Sequence, residues 1–79
     1  MFIDLLNKRL EELGLERRDE SEIKGDISTI KAQINSSRPK TSILKESITS
    51  IKRILEGAAG SIVAVELLKY IPPILDKLG

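Results

Sequence analysis

Ile23-Lys24-Gly25-Asp26-Ile27-Ser28-Thr29-Ile30-Lys31-Ala32-Gln33-Ile34 is answered, beyond Pro39, by Leu44-Lys45-Glu46-Ser47-Ile48-Thr49-Ser50-Ile51-Lys52-Arg53-Ile54-Leu55. The apolar positions Ile23, Ile27, Ile30 and Ile34 recur at intervals of 4, 3 and 4, and Leu44, Ile48, Ile51 and Leu55 repeat the same spacing. Residues so spaced share one face of an α-helix. Two helices with matching apolar stripes, joined by a short turn, bury those stripes by lying antiparallel. A turn centred on Pro39 pairs Ile34 with Leu44, Ile30 with Ile48, Ile27 with Ile51 and Ile23 with Leu55. These eight residues are the expected seam within the chain.

Upstream, Ile3, Leu6, Leu10 and Leu13 form one stripe with Lys8, Arg9, Glu11 and Glu12 off it, which predicts a helix over about residues 2–13. Gly14 is placed to stop it. Asp19 with Glu22 three positions on reads as a cap, so a second helix is expected to start near Glu20, supported by a Glu20/Lys24 pair. That helix should fray through Asn35, Ser36, Ser37 and Arg38, because Pro39 disfavours helical geometry in the residue before it. Thr41 or Ser42 is the expected cap of the third helix.

The third helix is predicted over about residues 42–70, and it changes character halfway. From Gly57 the chain reads Gly-Ala-Ala-Gly-Ser-Ile-Val-Ala-Val, without a charge. A helix lacking a polar side is buried nearly all round, inserted in a membrane, or interrupted. Continuing the seam from Leu55 leads through Ala58, Ile62 and Val65, leaving Gly57, Gly60, Ser61 and Ala64 on other faces. Small residues there would let another helix approach closely. The alternative is a helix end at Gly57 and a restart after Gly60, since glycine costs about 1 kcal/mol relative to alanine in a helix interior. Pro72 and Pro73 are expected to end the helix, with Ile74, Leu75 and Leu78 in a last apolar turn. At 1.5 Å per residue a 42–70 helix is about 43 Å long against about 25 Å for the second. The first helix is the expected cover for that overhang, with Leu13 beside Val65 and Leu10 beside Leu68. The resulting fold class is all-α: one domain of three helices over residues 1–79, built on an antiparallel hairpin of residues 20–36 and 42–70.

A chain of 79 residues has little core to stabilise it. A single core of this size supplies only about 3–5 kcal/mol unless disulfides, metal or oligomerisation add to it. There is no Cys and no His. That inventory removes disulfides, thiolate nucleophiles, Ser-His-Asp and Cys-His chemistry, and the commonest metal ligands. No cofactor, metal or catalytic residue is expected. Oligomerisation is left as the way to bury more surface. A bent hairpin leaves one side of the third helix uncovered, and such apolar patches mark interfaces. Gly57, Ala59, Gly60, Val63 and Ala64 are the expected interchain surface, in a homo-oligomer for which a dimer is preferred over a tetramer because two-fold closure is commonest.

Thirteen basic and twelve acidic residues leave a net charge of +1, which singles out no partner. Arg38, Lys40, Lys45, Lys52 and Arg53 against Glu46 could form a phosphate-binding strip. With Phe2 and Tyr70 the only aromatics, base stacking has almost nothing to work with, so nucleic acid is not the expected partner, and the bases are better read as facing Glu11, Glu12, Glu16, Asp19 and Glu20 or as keeping the surface soluble. Gly57-Ala58-Ala59-Gly60 lacks the following Lys-Ser/Thr of a phosphate loop. Glu56 and Glu66 lie about 15 Å apart along one helix, too far to act as paired carboxylates. The N-terminal residues lack the basic and apolar regions of a signal peptide, which makes the cytoplasm the default location. The function expected from these features is self-association or binding of a protein partner without catalysis. The alternative is a membrane-active effector or toxin peptide using residues 57–75, although Glu66 and Lys69 interrupt that segment.

Lys45-Glu46-Ser47-Ile48, followed by Ser50-Ile51-Lys52-Arg53-Ile54-Leu55-Glu56-Gly57-Ala58-Ala59-Gly60-Ser61, resembles a C-terminal helical segment that recurs in uncharacterised bacterial proteins, some in mobile-element or phage-defence settings. In those proteins the segment similarly follows a turn like Arg38-Pro39-Lys40 and an amphipathic helix. The resemblance covers about residues 20–70. It implies a bacterial or phage origin and a reusable association module.

Overall fold

The computed structural model describes residues 2–58 and 60–79. Among them the chain is helical and runs α1 (Phe2–Arg9), a 3₁₀ turn (Leu10–Leu13), α2 (Arg17–Ile34), α3 (Thr41–Gly57), α4 (Ile62–Leu68) and α5 (Ile71–Leu78). The all-α class stands as expected, but the third helix does not run on to residue 70. It ends at Gly57, and the chain restarts as two short helices that fold back onto α3. A straight 42–70 helix of about 43 Å would outrun the longest dimension of the molecule, 36 Å.

Each boundary has a local cause. Gly57 carries no side chain to hold another turn, and Ser61 offers a new start: its backbone is extended and its Oγ accepts from Ala64 N–H at 3.4 Å. Pro72 and Pro73 begin α5 instead of ending the preceding helix. A first-turn N–H has no partner within the helix, so proline costs little there, and its fixed φ suits the helix. α2 starts at Arg17 with Glu16 as its extended cap, three residues before the expected position, which places Asp19 and Glu20 in the positive first turn. Neither Thr41 nor Ser42 caps α3. Lys40 takes that position, and the Gln33 side chain accepts from Lys40 N–H at 2.7 Å across the hairpin turn.

α2 and α3 form the antiparallel hairpin. The Ser50 hydroxyl of α3 donates to Glu22 of α2 at 3.3 Å, while Gln33 meets Lys40 near the turn. The core is built from both stripes and from α1. Ile23, Ile27 and Ile30 face Ile48, Ile51 and Leu55, with Ile3, Leu6, Leu10 and Leu13 laid over them. Gly14 ends this first segment in the left-handed conformation, φ +62°, which glycine adopts without a Cβ clash. α4 and α5 complete the core with Ala64, Leu67 and Ile71. Phe2 and Tyr70, ring centres 6.0 Å apart, bring the start of α1 to the α4/α5 junction.

Gly25 lies exposed in the middle of α2, and a Cβ there would meet nothing within 4 Å. Gly25→Ala is therefore expected to stabilise the chain by up to about 1 kcal/mol through helix propensity. A higher urea midpoint at unchanged slope is the measurement. A lower midpoint would mean that the site holds a contact absent from this chain alone.

Candidate functional site

The surface around α4 follows from the helix break. Restarting at Ser61 turns Ala64 and Leu67 inward and leaves Ile62 and Val65 outside. Ile62 is 85% exposed and Val65 45%, whereas Ala64 is 0% exposed. The expected continuation of the seam through Ile62 and Val65 is thus overturned, and so is the place of Leu13 beside a buried Val65. The 3₁₀ turn does pack on α4, where it meets an inward face that begins one register position away from the expected one.

The expected interchain residues separate accordingly. Gly57 and Gly60 are exposed, Val63 is half-buried, and Ala64 is part of the core and unavailable to a partner. Ala59 lies outside the described residues. A Cβ on Gly57 or Gly60 would meet nothing within 4 Å, so neither glycine admits a neighbouring helix within the chain. Beside α4, Arg9 holds two carboxylates, Glu12 at 3.1 Å and Glu66 at 3.0 Å, tying α1 to α4. Such exposed pairs, screened by solvent, contribute little to stability.

At the turn end of the hairpin the seam opens. Ile23, Ile27, Ile30, Ile48, Ile51 and Leu55 are buried, but Leu44 is only half-buried and Ile34 is 47% exposed. Both line an open groove of about 250 Å³ with Phe2, Ile3 and Leu78, its floor made by Ile30, Ile48 and Ile74, and its lining is wholly apolar. Among the described residues Phe2, Ile3, Ile74 and Leu78 reach the layer at Ile34 and Leu44 without closing it.

A polar cleft runs between α2 and α3, lined among others by Glu22, Asp26, Ser50 and Arg53. The Ser50 hydroxyl donates to Glu22, and the buried Oδ2 of Asp26 has no hydrogen-bond partner among the described residues. Burial pushes the Asp26 carboxyl up from its ordinary 3.8, and the charge of Glu22 adds to this. The nearby Ser50 hydroxyl and Arg53 guanidinium act against it. A carboxyl whose pKa is raised by folding contributes stability fully below the ordinary value and loses it as pH rises through the raised value. Asp26→Asn is therefore expected to raise the melting temperature at neutral pH. The difference from the parent chain should shrink as the pH falls toward 3.8. A difference that grows in acid would reverse the assignment.

Among the described residues none of Arg38, Lys40, Lys45, Lys52 and Arg53 forms an ion pair with the acids expected to face them, although Arg53 shares a cleft with Glu16 and Asp19. The ion pairs among the described residues are Arg9 with Glu12 and Glu66, and Lys24 with Glu20. Arg38, Lys40 and Lys45 stand exposed around the hairpin turn, with Lys45 Nζ donating to the carbonyl of Gly79 at 3.0 Å. Among the described residues no three metal-ligating side chains gather, and no helix is long and apolar enough to cross a membrane. The cleft at the helix break, about 710 Å³, is wide and of mixed character, with Arg18 and Arg53 beside Glu16, Asp19 and Glu22.

Ile62 and Val65 are the surface residues that the spacing argument missed. Their signal was present: Ala64, Leu67, Ile71, Ile74 and Leu78 recur at intervals of 3, 4, 3 and 4, an inward stripe out of phase with Leu55. Compared with family models, curated proteins and solved structures, the chain matches none.

Proposed function

We propose that this chain is a helical association module, acting in the cytoplasm, that binds a second protein chain and first of all another copy of itself. The observation that carries the reading is Ile62, 85% exposed at the start of α4 with Val65 one turn on. Isoleucine so placed exposes apolar surface worth about 1.5–3 kcal/mol on burial. The patch adjoins Gly57 and Gly60, which present bare backbone to a partner, and half-buried Val63. Gly57, Gly60 and Val63 of the expected interface remain in the proposal, while Ile62 and Val65 take the place of Ala64.

Light scattering coupled to size exclusion, over a dilution series without detergent, is the test. The chain is expected to exceed the monomer mass at high concentration. Ile62→Glu should weaken association about tenfold or more and leave the helical signal unchanged, because the side chain contributes nothing to the core. A parent chain that stays monomeric throughout sinks the proposal.

Membrane action through residues 57–75 has less behind it. Ala64, Leu67 and Ile71 belong to the core, and insertion would have to withdraw them from it. Flotation with neutral or anionic vesicles would restore that reading.

A further inference from the structure

We infer that the exposed Ile62/Val65 edge of α4 docks into the apolar groove at the hairpin turn of a second copy, giving head-to-tail assembly rather than a two-fold dimer. The inference rests on the self-association proposed above and names the surface that receives α4.

The two surfaces lie toward opposite ends of α3. Leu44 lines the groove, and Gly57, thirteen residues on, begins the break that leads to Ile62. That interval is about 20 Å of helix, so within one chain the edge cannot fold into the groove while α3 stands. Between chains they complement each other in shape. The edge is convex, two branched side chains projecting from one face of a short helix. The groove is concave, with half-exposed Ile34 at its lip. Its volume of about 250 Å³ exceeds the roughly 150 Å³ of an apolar cavity that accepts a benzene ring, so the Ile62 side chain fits with room for part of Val65.

Charge points the same way. The groove residues are flanked in the chain by exposed Lys31, Lys45 and Lys77, and the turn beyond Ile34 adds Arg38 and Lys40, against Asp4, Glu46 and Asp76, which leaves the rim net basic. None of these five cations takes part in an ion pair among the described residues. The α4 edge is net acidic, with Glu12, Glu56 and Glu66 against Arg9 and Lys69. A second copy docked by its α4 edge brings those carboxylates, two of them shared with Arg9, toward the basic rim of the groove. Edge against edge would oppose like charge, which disfavours the two-fold pairing. A contact between two different patches does not satisfy itself in a pair. It continues as a ring where the rotation closes and as a filament where it does not.

The test uses the full chain with Ile62→Glu and Ile34→Glu made separately, both at exposed positions. Parent mass is expected to climb past two chains as concentration rises. Each variant alone should associate about tenfold or more weakly. Mixed in equal amounts, the variants should form a particle of two chains and no larger, because the mixture retains one intact edge and one intact groove per pair. If Ile34→Glu alone still pairs while Ile62→Glu does not, the edge binds its own copy. Head-to-tail docking is then overturned and self-association stands. If the parent chain is monomeric throughout, both fall. Circular dichroism checks each fold, and serine replaces glutamate at any position where the charge unfolds the chain.

Discussion

Leu55→Ala is expected to leave a large fraction of the chain unfolded at 25 °C. Leu55 is fully buried on the inward stripe of α3, in the core that α1, α2, α4 and α5 all enter. Truncating a leucine at such a site removes its transfer free energy and leaves a cavity, together about 2–5 kcal/mol. A single core in a chain of this length supplies only about 3–5 kcal/mol, so the loss is of the same size as the stability it draws on. Ile34→Ala removes as large a side chain from the other end of the matching stripe, where nearly half of the residue already meets water, and should cost under about 1 kcal/mol. Urea unfolding followed by circular dichroism, with both variants at equal low concentration, reads the difference. Equal losses would mean that the open end of the seam is covered in solution, which would bring the groove's occupant into the folding equilibrium.

That contrast marks where the spacing of the sequence carries the fold and where it stops. The inward positions of α1, α2 and α3 could be read from their 3 and 4 intervals, because burial there depends only on which face of a helix a residue occupies. Ile3, Leu6, Ile23, Ile51 and Leu55 all lie where the pattern puts them. Ile34 and Leu44 obey the same pattern and yet stand at an open groove. Coverage of the last layer depends on what packs across it, and spacing along the chain holds no information about that. The break after Gly57 was harder to read for a different reason. An uncharged run with two glycines suits a buried continuous helix and an interrupted one alike, and the choice turns on a serine cap and on two prolines that can begin a helix as readily as end one. A continuous helix would carry the phase of Leu55 forward and exchange the inside of α4 for its outside. The proposed association surface was legible only as a region; its residues changed once the phase did. Glu22 and Asp26 stand four apart on α2 and share a face by spacing alone; the burial of Asp26 left no mark in the sequence, because it arises from the pairing of α2 with α3.

Ala64→Asp should be as damaging as Leu55→Ala, whereas Gly60→Asp, four positions earlier, should leave the folded chain standing. Ala64 is 0% exposed in the core, and a carboxylate there would be ionised without a partner or protonated at a penalty. An uncompensated buried charge costs about 3–5 kcal/mol. Gly60 has open space where a side chain would begin. Its aspartate would sit beside the Ser61 cap, ahead of α4, where negative charge is mildly favoured. The pair of variants separates two uses of the small residues in this stretch that composition alone conflates: Ala64 is small because the helices behind it are close, and Gly60 because the chain turns there. If Ala64→Asp stays folded and merely loses mass in light scattering, α4 faces outward as a continuous third helix would have it. If Gly60→Asp folds normally but no longer associates, bare backbone at the break belongs to the contact between chains, and α4 presents that backbone together with Ile62.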